Sequence, residues 1–235
     1  MAPEGDEPNL QRSPPAHILP RTLLRVLQRH FYAGVKEAEV RFNFHMADED
    51  AVTGALGERL TEPQVLFHTD GQVYSWSTSA YKIRGRGPSA PENELGADGI
   101  FQLDVLNEES EFLLRKGLLF QSKIEWHGTD GRLLHQAQTL LMQSRSAIVI
   151  SYSSRGYQAI AARDVVAADG NRRRVRRMAN KSLAEVLGDE FVWCKRGDMG
   201  LYWEPERERL MVDSELASDF RPGRFIGTTI QRLRQ

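Results

Sequence analysis

The stretch 94–126, ELGADGIFQLDVLNEESEFLLRKGLLFQSKIEW, decides how the chain is read. Two apolar runs, 98–105 and 117–125, flank a polar Asn/Glu/Ser segment, which predicts two antiparallel strands. Three polar side chains stand at the ends away from the connecting segment: Asp98 where the first run begins, Gln121 and Lys123 where the second finishes. Side chains alternate along a strand, so Gln121 and Lys123 share one face, and Phe120, Ser122 and Ile124 the other. A lysine near a core requires an anionic partner, and pairing of the two runs brings Asp98 to the 121–123 end. Carboxylate, carboxamide and ammonium then surround one point. Oxygens for a divalent ion, with a cation beside the attacking water, are what phosphodiester hydrolysis needs, and the Ser122 carbonyl offers one more oxygen.

One carboxylate holds magnesium poorly, so a second is sought. In MADEDAVTGALGERL, at about 100° per residue, Phe42, Glu49, Val52, Thr53, Leu56 and Leu60 fall in one stripe with Glu49 near its centre. Asp48 and Asp50 lie to either side and read as solvent-facing. The plainer readings are a glutamate favoured by the helix dipole, a loop-end aspartate and an exposed strand face.

Outward from these residues, 1–18 is rich in Pro, Glu and Asp and reads as a disordered lead. Residues 19–170 read as a core. It holds two helices up to Leu60, or one broken near 43–48, and a hairpin turning at Asp70-Gly71. A Gly/Pro/Ser loop and the two strands above follow, then a helix at 131–143 and strands at 146–152 and 157–163. Residues 171–235 read as a C-terminal extension serving the sheet, dimerisation or a partner, with a helix at 179–188 and short strands near 191–194 and 200–204. This order predicts an α/β fold, a mixed central sheet flanked by helices.

Composition narrows the function classes. With 40% hydrophobic and 27% charged residues the chain reads as soluble and globular. No run approaches a membrane span, and the first residues lack the apolar run of a signal peptide. The single cysteine, Cys194, lies in the apolar FVWC run and reads as a buried thiol; it forms no internal disulfide and favours a cytoplasmic location. His45 and His68 have no partner at zinc-ligand spacing. Net charge is -1, but basic residues concentrate at 82–87 (Lys82, Arg84, Arg86) and 171–177 (Arg172, Arg173, Arg174). These patches are candidates for nucleic-acid contact, with solvated surface as the alternative.

GADGIF, a gap of some twenty residues and KGLLFQSK together resemble the motif of the PD-(D/E)XK, restriction-endonuclease-like superfamily. Glutamine replaces the usual acidic residue before X-Lys, as in the Mrr-like branch with its D…QxK pattern, and the proline that commonly precedes the aspartate is absent. The resemblance implies a restriction-endonuclease-like core and a Mg²⁺- or Mn²⁺-dependent endonuclease acting on DNA. It implies Asp98 as metal carboxylate, Gln121 at the second motif position, Lys123 as catalytic lysine and Glu49 as the carboxylate from the preceding helix. With Gln121 neutral, metal affinity leans on Asp98 and Glu49. Gln136, on the helix after the lysine, is an accessory candidate by the same likeness. Family analogy further implies the effector of a prokaryotic defence or restriction system, working with a separate sensor or motor subunit. The alternative is a catalytically inactive nucleic-acid-binding or assembly module on the same scaffold.

Overall fold

The structure, a computed structural model, describes residues 17–83, 97–178, 180–213, 215–218 and 221–234, with the backbone alone for 215–218. Arg84 and Arg86, and residues 1–16 of the lead, lie outside the described residues.

Helix α1 (Arg21–Val40) buries Leu24, Leu27, Phe31, Val35 and Ala38 at spacings of three and four, the stripe of a helix lying on a core. A short α2 (Phe42–His45) and a turn follow. Asp48 then caps α3 (Glu49–Leu60) by accepting the Asp50 amide. Strands β1 (Glu62–Thr69) and β2 (Gln72–Lys82) form the expected hairpin, whose turn residues Asp70 and Gly71 both have positive φ, 52° and 69°.

The decisive stretch forms β3 (Gly99–Leu106) and β4 (Phe112–Ile124), antiparallel, with Gly99 opposite Phe120. Helix α4 (Gly131–Gln143) carries the chain over to β5 (Ile148–Tyr152), parallel to β4. Then come β6 (Gln158–Ala161), α5 (Ala162–Ala167), α6 (Arg172–Val175), β7 (Lys181–Ser182) and α7 (Leu183–Glu185), which runs into a π-helical segment, Val186–Phe191. The last strands are β8 (Asp198–Met199), β9 (Leu201–Glu204), β10 (Arg209–Val212), β11 (Glu215–Ser218) and β12 (Arg224–Leu233).

Among the described residues the main sheet has the order β1-β2-β12-β3-β4-β5-β6-β7, with β8 against β4, and β9 to β11 form a small second sheet. The segment set apart in the sequence as an extension thus supplies β12 to the middle of the sheet, antiparallel to β2 and parallel to β3. One face packs α1, α3 and the 183–192 helix on Phe101, Leu103, Leu118, Phe120, Ile150 and Ile226. The other packs α4, α5 and the small sheet on Ile100, Leu119, Val149 and Ile160. The fold is α/β with a mixed central sheet flanked by helices.

Two expectations are corrected. The strand expected at 191–194 is the end of a helix and a turn: Ser182 and Glu185 form a capping box, and Leu183, Leu187 and Phe191 then bury at helical spacing. The strand expected at 157–163 ends at Ala161, where Ala162 begins α5 and buries with Val165. No helix among the described residues is long and apolar enough to cross a membrane.

Candidate active site

The β3–β4 register places Asp98 beside Gln121. Asp98 immediately precedes Gly99, whose partner is Phe120, and the Asp98 amide donates to the Phe120 carbonyl at 2.9 Å. Glycine is required at 99 because a Cβ there would meet the Phe120 ring at 2.4 Å and the Arg224 carbonyl at 2.8 Å. Asp98 Oδ2 accepts three hydrogen bonds, from the Ser122 amide (2.7 Å), Ser122 Oγ (2.5 Å) and Gln121 Nε2 (2.6 Å).

Glu49, in the first turn of α3, reaches the same point from the helical layer. Its Oε2 accepts the Ile124 amide at 3.0 Å and its Oε1 lies 3.4 Å from Ser122 Oγ. A hydroxyl has one proton to donate, and the shorter contact assigns it to Asp98. Two carboxylates therefore converge on one serine with one proton between them. Burial first, and the Asp98 charge second, push the Glu49 carboxyl up to about 7. Gln121 is buried, and its Oε1 has no hydrogen-bond partner, an oxygen aimed at nothing in the protein. Beneath them, Thr53 Oγ1 bridges the Glu49 carbonyl (2.9 Å), the Tyr152 hydroxyl (3.2 Å) and Ser122 Oγ (3.5 Å), which ties α3 to β4 and β5.

Lys123 is on the same strand end, but its ion-pair partner is Asp130, at 3.0 Å, rather than Asp98. Asp130 caps α4 through the Leu133 amide, and its hydrogen bonds to that amide and to Lys123 hold its carboxyl below the usual range against the opposing effect of burial. The sequence marks Asp130 as a helix cap; its approach to Lys123 depends on the 125–130 turn, in which Glu125 adopts φ 42°.

A cleft of about 350 Å³ opens on these groups, and Lys82, Arg132 and Gln136 line it as well. Lys82 bonds Asp50 Oδ2 (2.6 Å), and Arg224 bonds Asp50 Oδ1 (3.0 Å). Asp50, expected to face solvent, is thus a paired, half-buried wall of the cleft. Arg132 was not anticipated; it follows Gly131 at the exposed start of α4, where no pattern marks it. Of the second basic patch, Arg173 and Arg174 are exposed, Arg174 paired with Asp169 (2.7 Å), whereas Arg172 is buried and does not line the carboxylate cleft. Tyr152 and Tyr157 are packing residues in edge contact, with ring centroids 4.6 Å apart. Cys194 is only partly buried and lies in a turn with φ 51°.

Among the described residues no three His, Cys, Asp or Glu side chains form a metal cage. The oxygens available are two carboxylates, the Gln121 amide and the Ser122 carbonyl, a hard donor set suited to magnesium or manganese rather than zinc. Two crowded carboxylates and an orphaned amide oxygen fit a cation. Comparison of the chain with family models, curated proteins and solved structures finds no match.

Proposed function

We propose that the cleft is the active site of a metal-dependent nuclease that hydrolyses phosphodiester bonds of DNA, on a restriction-endonuclease-like core. The observation that carries this reading is the convergence of Glu49 and Asp98 on Ser122, beside a Gln121 whose Nε2 binds Asp98 and whose Oε1 is unpartnered, with Lys123 one residue further along the strand. The order helix, hairpin, D…QxK hairpin, helix, parallel strand supports it too. Mg²⁺ or Mn²⁺ would be held by Glu49, Asp98, Gln121 Oε1 and the Ser122 carbonyl. Bound there, it supplies a Lewis acid for a phosphoryl oxygen and acidifies a water.

The chain's own groups do the rest. Lys123, held by Asp130, presents an ammonium donor beside the carboxylates, where it orients water and offsets charge growing on the scissile phosphate. Arg132 and Lys82 line the mouth and take flanking phosphates of the strand. The Thr53 hydroxyl, held by the Glu49 carbonyl and the Tyr152 hydroxyl, packs 3.5 Å from Ser122 Oγ and backs the serine that donates to Asp98. DNA as substrate, and service as a defence effector alongside a separate sensor subunit, rest on the family resemblance.

Supercoiled plasmid incubated with Mg²⁺ or Mn²⁺ tests the reading. Wild type nicks or degrades it, EDTA abolishes this, and Asp98→Asn and Lys123→Met each lose at least about 100-fold. Salt-sensitive DNA binding with no cleavage by wild type would assign the scaffold to a non-catalytic binding module instead.

A further inference from the structure

A second cavity, also of about 350 Å³, lies beyond the carboxyl ends of β4 and β5 and is separate from the carboxylate cleft. Arg172 is its unusual component. The residue is 7% exposed, its Nη2 donates to Gln158 Oε1 at 2.6 Å, and its guanidinium carbon sits 5.2 Å from the Trp126 ring centroid. Its Nε and Nη1 are buried and bond to nothing. Arginine does not shed its proton in a protein, so a buried guanidinium without a carboxylate is a standing cost that an anion would remove.

Three further observations concern the same space. The Trp126 indole N–H, another lining donor, is buried and unpartnered. Asn180 contributes a buried unpartnered acceptor, Oδ1, so a ligand that also carries a hydroxyl is suited. Arg155 and Arg176 are exposed at the rim, and both act on Arg172 as like charges. The lining acid, Glu125, accepts from the Ser154 amide (3.3 Å) and lies 3.7 Å from the imidazole of His127, itself in the lining. Several unmatched donors around one point, backed by three guanidinium groups, match the oxygens of a phosphate.

We propose that this cavity binds a phosphate group, with Arg172 as its floor and Arg155 and Arg176 as its rim. Its position favours a phosphate of a nucleic-acid strand. Ser151, in the lining, is the register partner of Lys123. The segment bearing Arg172 is also bonded to the turn that carries Asp130: the Arg172 amide donates to the Gly128 carbonyl (2.8 Å) and the Asp130 amide to the Gly170 carbonyl (3.1 Å). A strand crossing Lys123 and continuing past the end of β4 reaches the cavity within a few nucleotides. A free nucleotide is the other source of the same chemistry.

The test uses the full chain in EDTA at constant ionic strength, with inorganic phosphate as probe, chloride as control and the thermal midpoint as readout. Wild type and Glu49→Gln are expected to show the same saturable rise with phosphate, since the site is independent of the metal carboxylates. Arg172→Met should lose the rise. Arg155→Gln with Arg176→Gln, both exposed and therefore safe for folding, should weaken the apparent affinity at least tenfold. A response equal to that of chloride, or one unchanged in the rim double variant, overturns the proposal. Displacement of phosphate by a short oligodeoxynucleotide assigns the group to a strand, displacement by adenosine monophosphate alone assigns it to a nucleotide, and displacement by neither overturns both. Loss of DNA cleavage in Glu49→Gln with the phosphate response intact separates this site from the nuclease reading.

Discussion

Replacing Glu49 by glutamine should stabilise the metal-free protein. The Glu49 carboxyl titrates at about 7 in the fold against an ordinary 4.5, because it is buried beside Asp98. At 1.36 kcal/mol per pH unit this gap corresponds to about 3 kcal/mol. Below pH 4.5 the group is protonated in folded and unfolded chains alike and contributes no difference. Between pH 4.5 and 7 the unfolded chain ionises while the fold retains the proton, so stability falls as pH rises; above 7 the full penalty applies. Glutamine keeps an oxygen for the Ile124 amide and carries no charge. Allowing for the amide's own desolvation and for solvent screening, Glu49→Gln should be about 1–2 kcal/mol more stable than wild type at pH 8 and equal to it near pH 4. Urea denaturation in EDTA across this range, at unchanged m-value, measures it. Mg²⁺ should then raise the wild-type midpoint and leave the variant's in place. A variant less stable than wild type at pH 8, or a difference independent of pH, refutes the reasoning that two carboxylates are crowded at Ser122.

Other perturbations separate support from chemistry. Asp130→Asn keeps the helix cap, since asparagine caps as well as aspartate, but removes the anion from Lys123; stability should change by less than about 0.5 kcal/mol while cleavage falls and its pH profile moves. Gly99→Ala drives a methyl group into the Phe120 ring and the Arg224 carbonyl, and should cost about 1–3 kcal/mol in denaturation together with most of the activity, because Asp98 is adjacent. Lys116, wholly buried under the ring of Phe191 and donating to the Phe191 and Arg196 carbonyls, is pushed down to about 8 by burial. The charged amine is penalised below pH 8 and relieved as pH rises towards 10.5. In a Cys194→Ala background, which removes an opposing thiol titration, the lysine form should therefore gain on the order of 2 kcal/mol relative to Lys116→Met across that interval.

The parts of the site that were readable in the sequence are those set by local periodicity. Glu49 on a helical stripe and Asp98 at the 121–123 end follow from a 3.6-residue period and from the pairing of two adjacent apolar runs. The hairpin at Asp70-Gly71 is readable for the same reason, since its turn chemistry is local. What escaped depends on distant closure. Lys123 finds Asp130 only after the chain turns at Glu125, and strand alternation says nothing of that turn. Strand β12 pairs with segments more than a hundred residues away, and its alternation was hidden in a segment with no neighbouring strand to match it. Arg172 sits in a run of arginines that is otherwise exposed; its burial comes from packing on Trp126, which no pattern within NRRRVRR encodes. The helix ending at FVWC was misread because four apolar residues in a row are compatible with strand or helix, and the capping box at Ser182 and Glu185 is the signal that decides.

Diffraction from crystals grown with Mn²⁺, with data collected at the manganese absorption edge, tests the central claim most directly. An anomalous peak flanked by the Glu49 and Asp98 carboxylates and by Gln121 Oε1, at about 2.0–2.3 Å, and absent from crystals of Asp98→Asn, is the expected result. Manganese bound elsewhere, or an empty cleft at saturating Mn²⁺ with Glu49 and Asp98 still sharing the Ser122 hydroxyl, would contradict it.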